Sequence, residues 1–150
     1  MLPAHRSVPQ ALPAVTRDQL KRLEVAISTQ LQPVDAPLQH DFIPGVYCRK
    51  LTIPAGAVLV GKIHKDLHLC IVAKGRIMVA SEQGTKELVA GDVFVSEPGV
   101  KRAGYAIEET VFINIHTNES NDTDLKVLEN KLIVPEAIGY TKAEVQTWLG

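Results

Sequence analysis

The stretch GAVLVGKIHKDLHLCIVAKG, residues 56–75, is followed fifteen residues later by GDVFVSEPGVKR, residues 91–102. Each holds short apolar segments, of Val, Ile and Leu in the first and Val and Phe in the second, punctuated by glycine. Segments this short, bounded by Gly and Pro, read as strands and turns, not as helices. Outward from them the same rhythm runs from about Tyr47 to His116: YCRKLTI, AVLVGKI, HLCIVA, GRIMVAS, KELVA, DVFVS, KRAGYAI and TVFINIH. Gly45, Pro54, Gly56, Gly75, Gly84, Gly91 and Pro98-Gly99 punctuate it. About eight short strands at this spacing predict a mainly β sandwich or closed barrel, because closure removes the unpaired edges of so many strands.

Helical signals lie on either side. Thr16 followed by Gln19 fits a capping box, and Leu20, Leu23, Ile27 and Leu31 recur at helical spacing. A helix over about residues 17–31 is predicted, stopped by Pro33 and Pro37. DLKVLENKLIV, residues 124–134, fits either a strand or a short helix. Thr141 and Glu144 form a second capping-box pattern that opens a last helix, KAEVQTWL. The expected organisation is an extended or disordered arm over 1–15, a helix and linker over 16–44, a barrel over 45–117, and a C-terminal extension with a helix over 118–150.

With 150 residues, 45% of them hydrophobic, the chain is one domain in size and can bury a core. Its formal net charge of −1, without a Lys/Arg-rich block, lacks the electrostatic footprint of nucleic-acid binding. No apolar run approaches the roughly 20 residues of a membrane span. The N-terminal stretch carries Pro3, Pro9 and Pro13 and no continuous apolar segment, so no signal peptide is expected and synthesis is read as intracellular. Cys48 and Cys70 sit in strand-like segments and read as free thiols. Lys101 and Arg102, adjacent cations, read as the edge of a solvated strand.

The two glycine-bounded stretches resemble the motifs of the cupin superfamily. The family's first motif is a glycine, five residues, His-x-His, three or four residues, a glutamate, six residues and a glycine. Here the same spacing holds Gly56, Lys62-Ile63-His64, His68 and Gly75. Lys62 replaces the first histidine and His68 the glutamate. The second motif ends in a histidine where this chain has Arg102, and Pro98 stands one place from the family's proline. The resemblance implies a single double-stranded β-helix, or jelly-roll barrel, over about residues 45–117. Residues 76–90 would form a short hairpin connection between the motifs.

Cupins of the metal-binding kind gather imidazoles and a carboxylate around one divalent transition metal. Lys62 and Arg102 put cations at two such positions, where they cannot ligate while protonated. His64, Asp66, His68 and His116, the last at the end of the strand-like segment TVFINIH, form an alternative ligand set. A third possibility uses Lys62, His64, His68 and Arg102 to hold an anionic sugar or small acid. The alternatives are hydrogen-bonded histidines at a barrel mouth and outward or carboxylate-paired cations.

The runs Gly61-Lys62-Ile63-His64-Lys65, Lys74-Gly75-Arg76-Ile77 and Gly91 to Arg102 are also similar to small cupin-like proteins of bacteriophages and prophages. That resemblance implies a non-catalytic, virion-associated structural or assembly protein. It would be a homo-oligomer, with other virion proteins as partners and no cofactor. A metal-dependent cupin enzyme of the dioxygenase or isomerase type, using His64, His68 and His116, stands as the alternative.

Overall fold

Thr16 starts the first helix as expected. Its hydroxyl accepts from the Gln19 amide at 3.1 Å, and the Gln19 side chain accepts from the Thr16 amide at 2.9 Å. Helix α1 then runs over Arg17–Gln30. In this computed structural model residues 14–32 and 34–135 are described; the expected arm up to residue 13 and the expected helix over 142–149 lie outside them. The buried face of α1 is Leu20 and Val25; Leu31, expected on that face, is its exposed C-cap.

Nine strands follow among the described residues: β1 Leu38–Ile43, β2 Gly45–Ile53, β3 Val58–Val60, β4 His68–Lys74, β5 Arg76–Ser81, β6 Gly84–Val89, β7 Val93–Ser96, β8 Arg102–Ala106 and β9 Thr110–Asn118. All eight strand-like segments of the sequence are present. β1 is the addition. It occupies residues expected to be linker, where the register pairs Leu38 with Leu51 and Phe42 with Tyr47 along β2. Pairing to the long neighbour supplies the hydrogen bonds that its polar composition does not advertise.

The strands form two antiparallel sheets, ordered β1-β2-β9-β4-β7 and β3-β8-β5-β6. β5 and β6 make the predicted hairpin between the motifs. Ile53, Val72, Ile77, Val79, Leu88 and Ala106 form the buried core, with Leu51, Leu59, Phe94 and Phe112 packed against it. The turn at Gly75 can take no other residue without movement. Its φ is +86°, and a Cβ there would come within 2.1 Å of the Glu109 carbonyl oxygen.

The ambiguity over residues 124–134 resolves as a helix followed by a bridge. Asp124 caps α2, Leu125–Leu132, by accepting from the Lys126 and Val127 amides. Ile133 then returns to extended backbone and forms a β-bridge with His64. The Lys65 amide donates to the Leu132 carbonyl and the Val134 amide to the Ile63 carbonyl, both at 2.8 Å. α2 is thereby fastened over one end of the barrel. No helix among the described residues is long and apolar enough to cross a membrane.

Candidate metal centre in the barrel cavity

Strand parity decides which side chains enter the barrel. On β2, Tyr47, Arg49, Leu51 and Ile53 point one way; on β4, His68 and Cys70; on β9, Phe112, Asn114 and His116. The register sets Tyr47 opposite His116, Arg49 opposite Asn114, and Cys70 opposite Asn114. These side chains line a cavity of about 490 Å³, shared with Leu59, Ile77, Val79 and Arg102 of the second sheet. Leu125, Leu128 and Leu132 of α2, with Ile133 just after it, line part of the cavity.

Three imidazoles converge in it. One nitrogen from each of His64, His68 and His116 can be chosen so that all lie within 4.8 Å of one another. Their ring centroids are 4.2 Å apart for His64 and His68, 4.5 Å for His68 and His116, and 5.1 Å for His64 and His116. His68 and His116 are buried and His64 is half-buried. Tyr47 stacks on His116 at 5.8 Å and fixes its own hydroxyl on His40 Nδ1 at 2.6 Å, which sets the plane in which the His116 ring can lie.

The electrostatics keep these rings neutral. Burial first, then the neighbouring rings and the Arg49 and Arg102 guanidiniums, push His64 down to about 3. Burial, His68 and Arg49 push His116 down to about 4. His68 is lowered by burial and by Arg102, while the Asp66 main chain opposes the shift without closing a hydrogen bond on Nδ1. Neutral imidazole is the form that donates a lone pair to a metal. Nδ1 of His68 is buried with no hydrogen-bond partner among the described residues. Cys70, in the same cavity, is pushed up to about 11 by burial and stays a thiol.

The other expected site residues divide. Arg102 enters the cavity, donates from Nη1 to Ser96 Oγ at 2.7 Å and lies 5.3 Å over the Phe94 ring. Lys62 stays at the rim, 63% exposed, and pairs with Glu129 at 3.4 Å. Asp66 is exposed in the bend between the two histidines and stands outside the three-imidazole group. Lys101 corrects its own expectation. It is fully buried, not on a solvated edge, because Glu24 of α1 reaches it at 3.3 Å and the Gly61 carbonyl at 3.4 Å. Cys48 and Cys70 are both free, as expected. Arg49, Asn114 and Tyr47 were not singled out by sequence, although the alternation of YCRKLTI places Tyr47, Arg49 and Leu51 on one face.

No protein-family model matches the chain, and no curated protein matches it. Solved structures do. KdgF from Halomonas sp. aligns over 63% of this chain and 88% of its own, at 19% identity and a TM-score of 0.51. Salicylate 1,2-dioxygenase from Pseudoaminobacter salicylatoxidans aligns over 77% of this chain and 33% of its own, at 15% identity and a TM-score of 0.51. A cupin 2 conserved barrel domain protein from Salinispora arenicola aligns over 61% and 91%, at 16% identity and a TM-score of 0.49. The fold is a cupin-type jelly-roll barrel. At these identities the likeness concerns the fold alone. The cavity of this barrel brings together His64, His68 and His116, with Arg102 also on its wall.

Proposed function

We propose that the chain is a metal-dependent cupin enzyme in which His64, His68 and His116 hold a divalent transition metal. The convergence of three neutral imidazoles carries this reading. Three protein donors, with room beside them, are the count of a catalytic site and not of a closed structural one. An all-imidazole set suits zinc, iron, nickel or copper. When bound, such an ion supplies Lewis acidity to a small organic molecule in the cavity. The chain's own residues do the rest: Tyr47 orients the His116 ring, α2 restricts water at the mouth, and the apolar wall of Leu51, Ile53, Leu59 and Phe112 holds the body of the substrate. Asp66 is not required. Elemental analysis of protein purified without added metal tests the reading. About one equivalent of a transition metal per chain is expected, and less than about a tenth of an equivalent after incubation with zinc, iron and nickel would overturn it.

A second reading, self-association, is favoured by one surface. Leu69 and Ile71 of β4, Val93 and Val95 of β7, and Ile113 and Ile115 of β9 alternate with the cavity residues, so they share the opposite face of the larger sheet. Register joins them: Leu69 to Val95 and to Ile115, Ile71 to Val93 and to Ile113. None is buried, and Val93 and Val95 are each 56% exposed. An apolar patch this continuous marks an interface, and a second copy of the chain is the proposed occupant. Solution mass tests it: a dimer or higher oligomer is expected, and Val95→Lys should shift it to monomer. The virion setting rests on the motif resemblance alone.

A further inference from the structure

Two permanent cations, Arg49 and Arg102, line the cavity, and neither has an ion pair among the described residues. Arg49 comes from β2 in the larger sheet and Arg102 from β8 in the smaller one, so the two guanidiniums enter from opposite walls. The Arg49 guanidinium has no ion pair or hydrogen bond among the described residues. Arg102 is held by a neutral hydroxyl, that of Ser96, and has no ion pair among them. Glu129, the one carboxylate residue among the described residues of the cavity lining, is tied to Lys62 at the rim. Both arginines line the same cavity as His64, His68 and His116. Guanidinium stays protonated under all physiological conditions, so this charge cannot be relieved by losing a proton. Leaving it unpaired in a partly desolvated cavity is costly.

We infer that the cavity takes a small organic acid, with its carboxylate between Arg49 and Arg102 and its apolar body against Leu51, Ile53, Leu59 and Phe112. A planar carboxylate matches the forked donors of a guanidinium, and one from each wall would orient it. The apolar lining opposite the cations selects an acid with a hydrocarbon body over a bare inorganic anion. Lys62, expected in the anion site, yields its place to Arg49. The inference deepens the reading of this cavity as a ligand site, and its binding step does not depend on a metal being present.

The test therefore uses chelator-treated, metal-free protein. Acetate, benzoate and 2-naphthoate are titrated by calorimetry, with benzyl alcohol as the neutral counterpart of benzoate and inorganic phosphate as the bare anion. Benzoate or 2-naphthoate should bind at least about tenfold more tightly than benzyl alcohol, and Arg49→Met and Arg102→Met should each weaken it about tenfold or more. Arg49→Lys, which keeps the charge and the fold, should restore part of the loss. His116→Ala should lose metal yet keep carboxylate binding, so failure of the metal site and failure of the acid site read out separately. Equal binding of benzoate and benzyl alcohol would overturn the inference, as would full retention of benzoate by an Arg49→Met, Arg102→Met double variant. Phosphate binding as tightly as the best organic acid would overturn the assignment of an organic ligand.

Discussion

Lys101 and Glu24 meet 77 residues apart in sequence, the fully buried ammonium of one against the partly exposed carboxylate of the other at 3.3 Å. The pair fastens α1 to the loop between β7 and β8, immediately before Arg102. A buried cation of this kind contributes little net stability when paired, because desolvation offsets the attraction, but removing a carboxylate partner leaves its burial less well compensated. Glu24→Ala is therefore expected to destabilise the protein by about 2 kcal/mol, and Lys101→Met by less than about 1 kcal/mol. Urea unfolding of the two variants checks the asymmetry; equal losses would contradict it.

The three histidines should contribute unequally from Asp66. His116→Ala should reduce bound metal to below about a tenth of an equivalent, whereas Asp66→Asn should leave it near the wild-type level. Metal content of both purified variants decides the point, and a large loss in Asp66→Asn would return the exposed carboxylate to the ligand set.

Metal-free protein should lose stability on acidification. Unfolded histidine takes a proton near pH 6.5, while in the folded chain His64 and His116 do so only at about 3 and about 4. Between those limits the unfolded state binds more protons, so their contribution is intact above about pH 6.5 and falls as the pH drops toward 4. The slope should be on the order of 1 kcal/mol per pH unit, reduced by the solvent that reaches a half-open cavity. Thermal midpoints of wild type and His64→Gln,His116→Gln from pH 7 to 4.5 test this. A wild-type midpoint no more acid-sensitive than that of the double variant would contradict it.

Gly75→Ala should be among the most damaging single changes outside the core. Its backbone sits at φ +86°, and the added methyl would strike the Glu109 carbonyl at 2.1 Å. A loss of about 3 kcal/mol or more is expected. Gly56→Ala is a control, since its φ of +82° opens onto empty space and only the conformational cost, about 1 kcal/mol, applies. Equal losses at the two positions would show that the Glu109 contact carries no weight.

The barrel was legible in the sequence because glycine at a positive φ is a local requirement, and Gly56, Gly75, Gly91 and Gly99 all occupy that region. The strands between them followed from β-branched composition alone. β1 was not legible: QHD is polar, and only the pairing to β2 makes it a strand. His64, His68 and His116 could be picked out because histidines are few and the motif spacing places two of them. Arg49 was missed for the opposite reason. A cation in a strand-like segment usually faces water, and only the register against Asn114 shows that this one does not. Lys101 failed the same rule, its surroundings being supplied by a helix far away in sequence.

The bridge between Ile133 and His64 has one further consequence. The residue proposed to take up metal is also the one that holds the far end of α2 against the barrel, through main-chain bonds on either side of it. Occupying the centre and seating the C-terminal segment therefore draw on the same backbone. By reciprocity, whatever steadies either must favour the other to the same degree. The rate at which the Lys65 and Val134 amides exchange with solvent should thus serve as a remote gauge of how full the centre is.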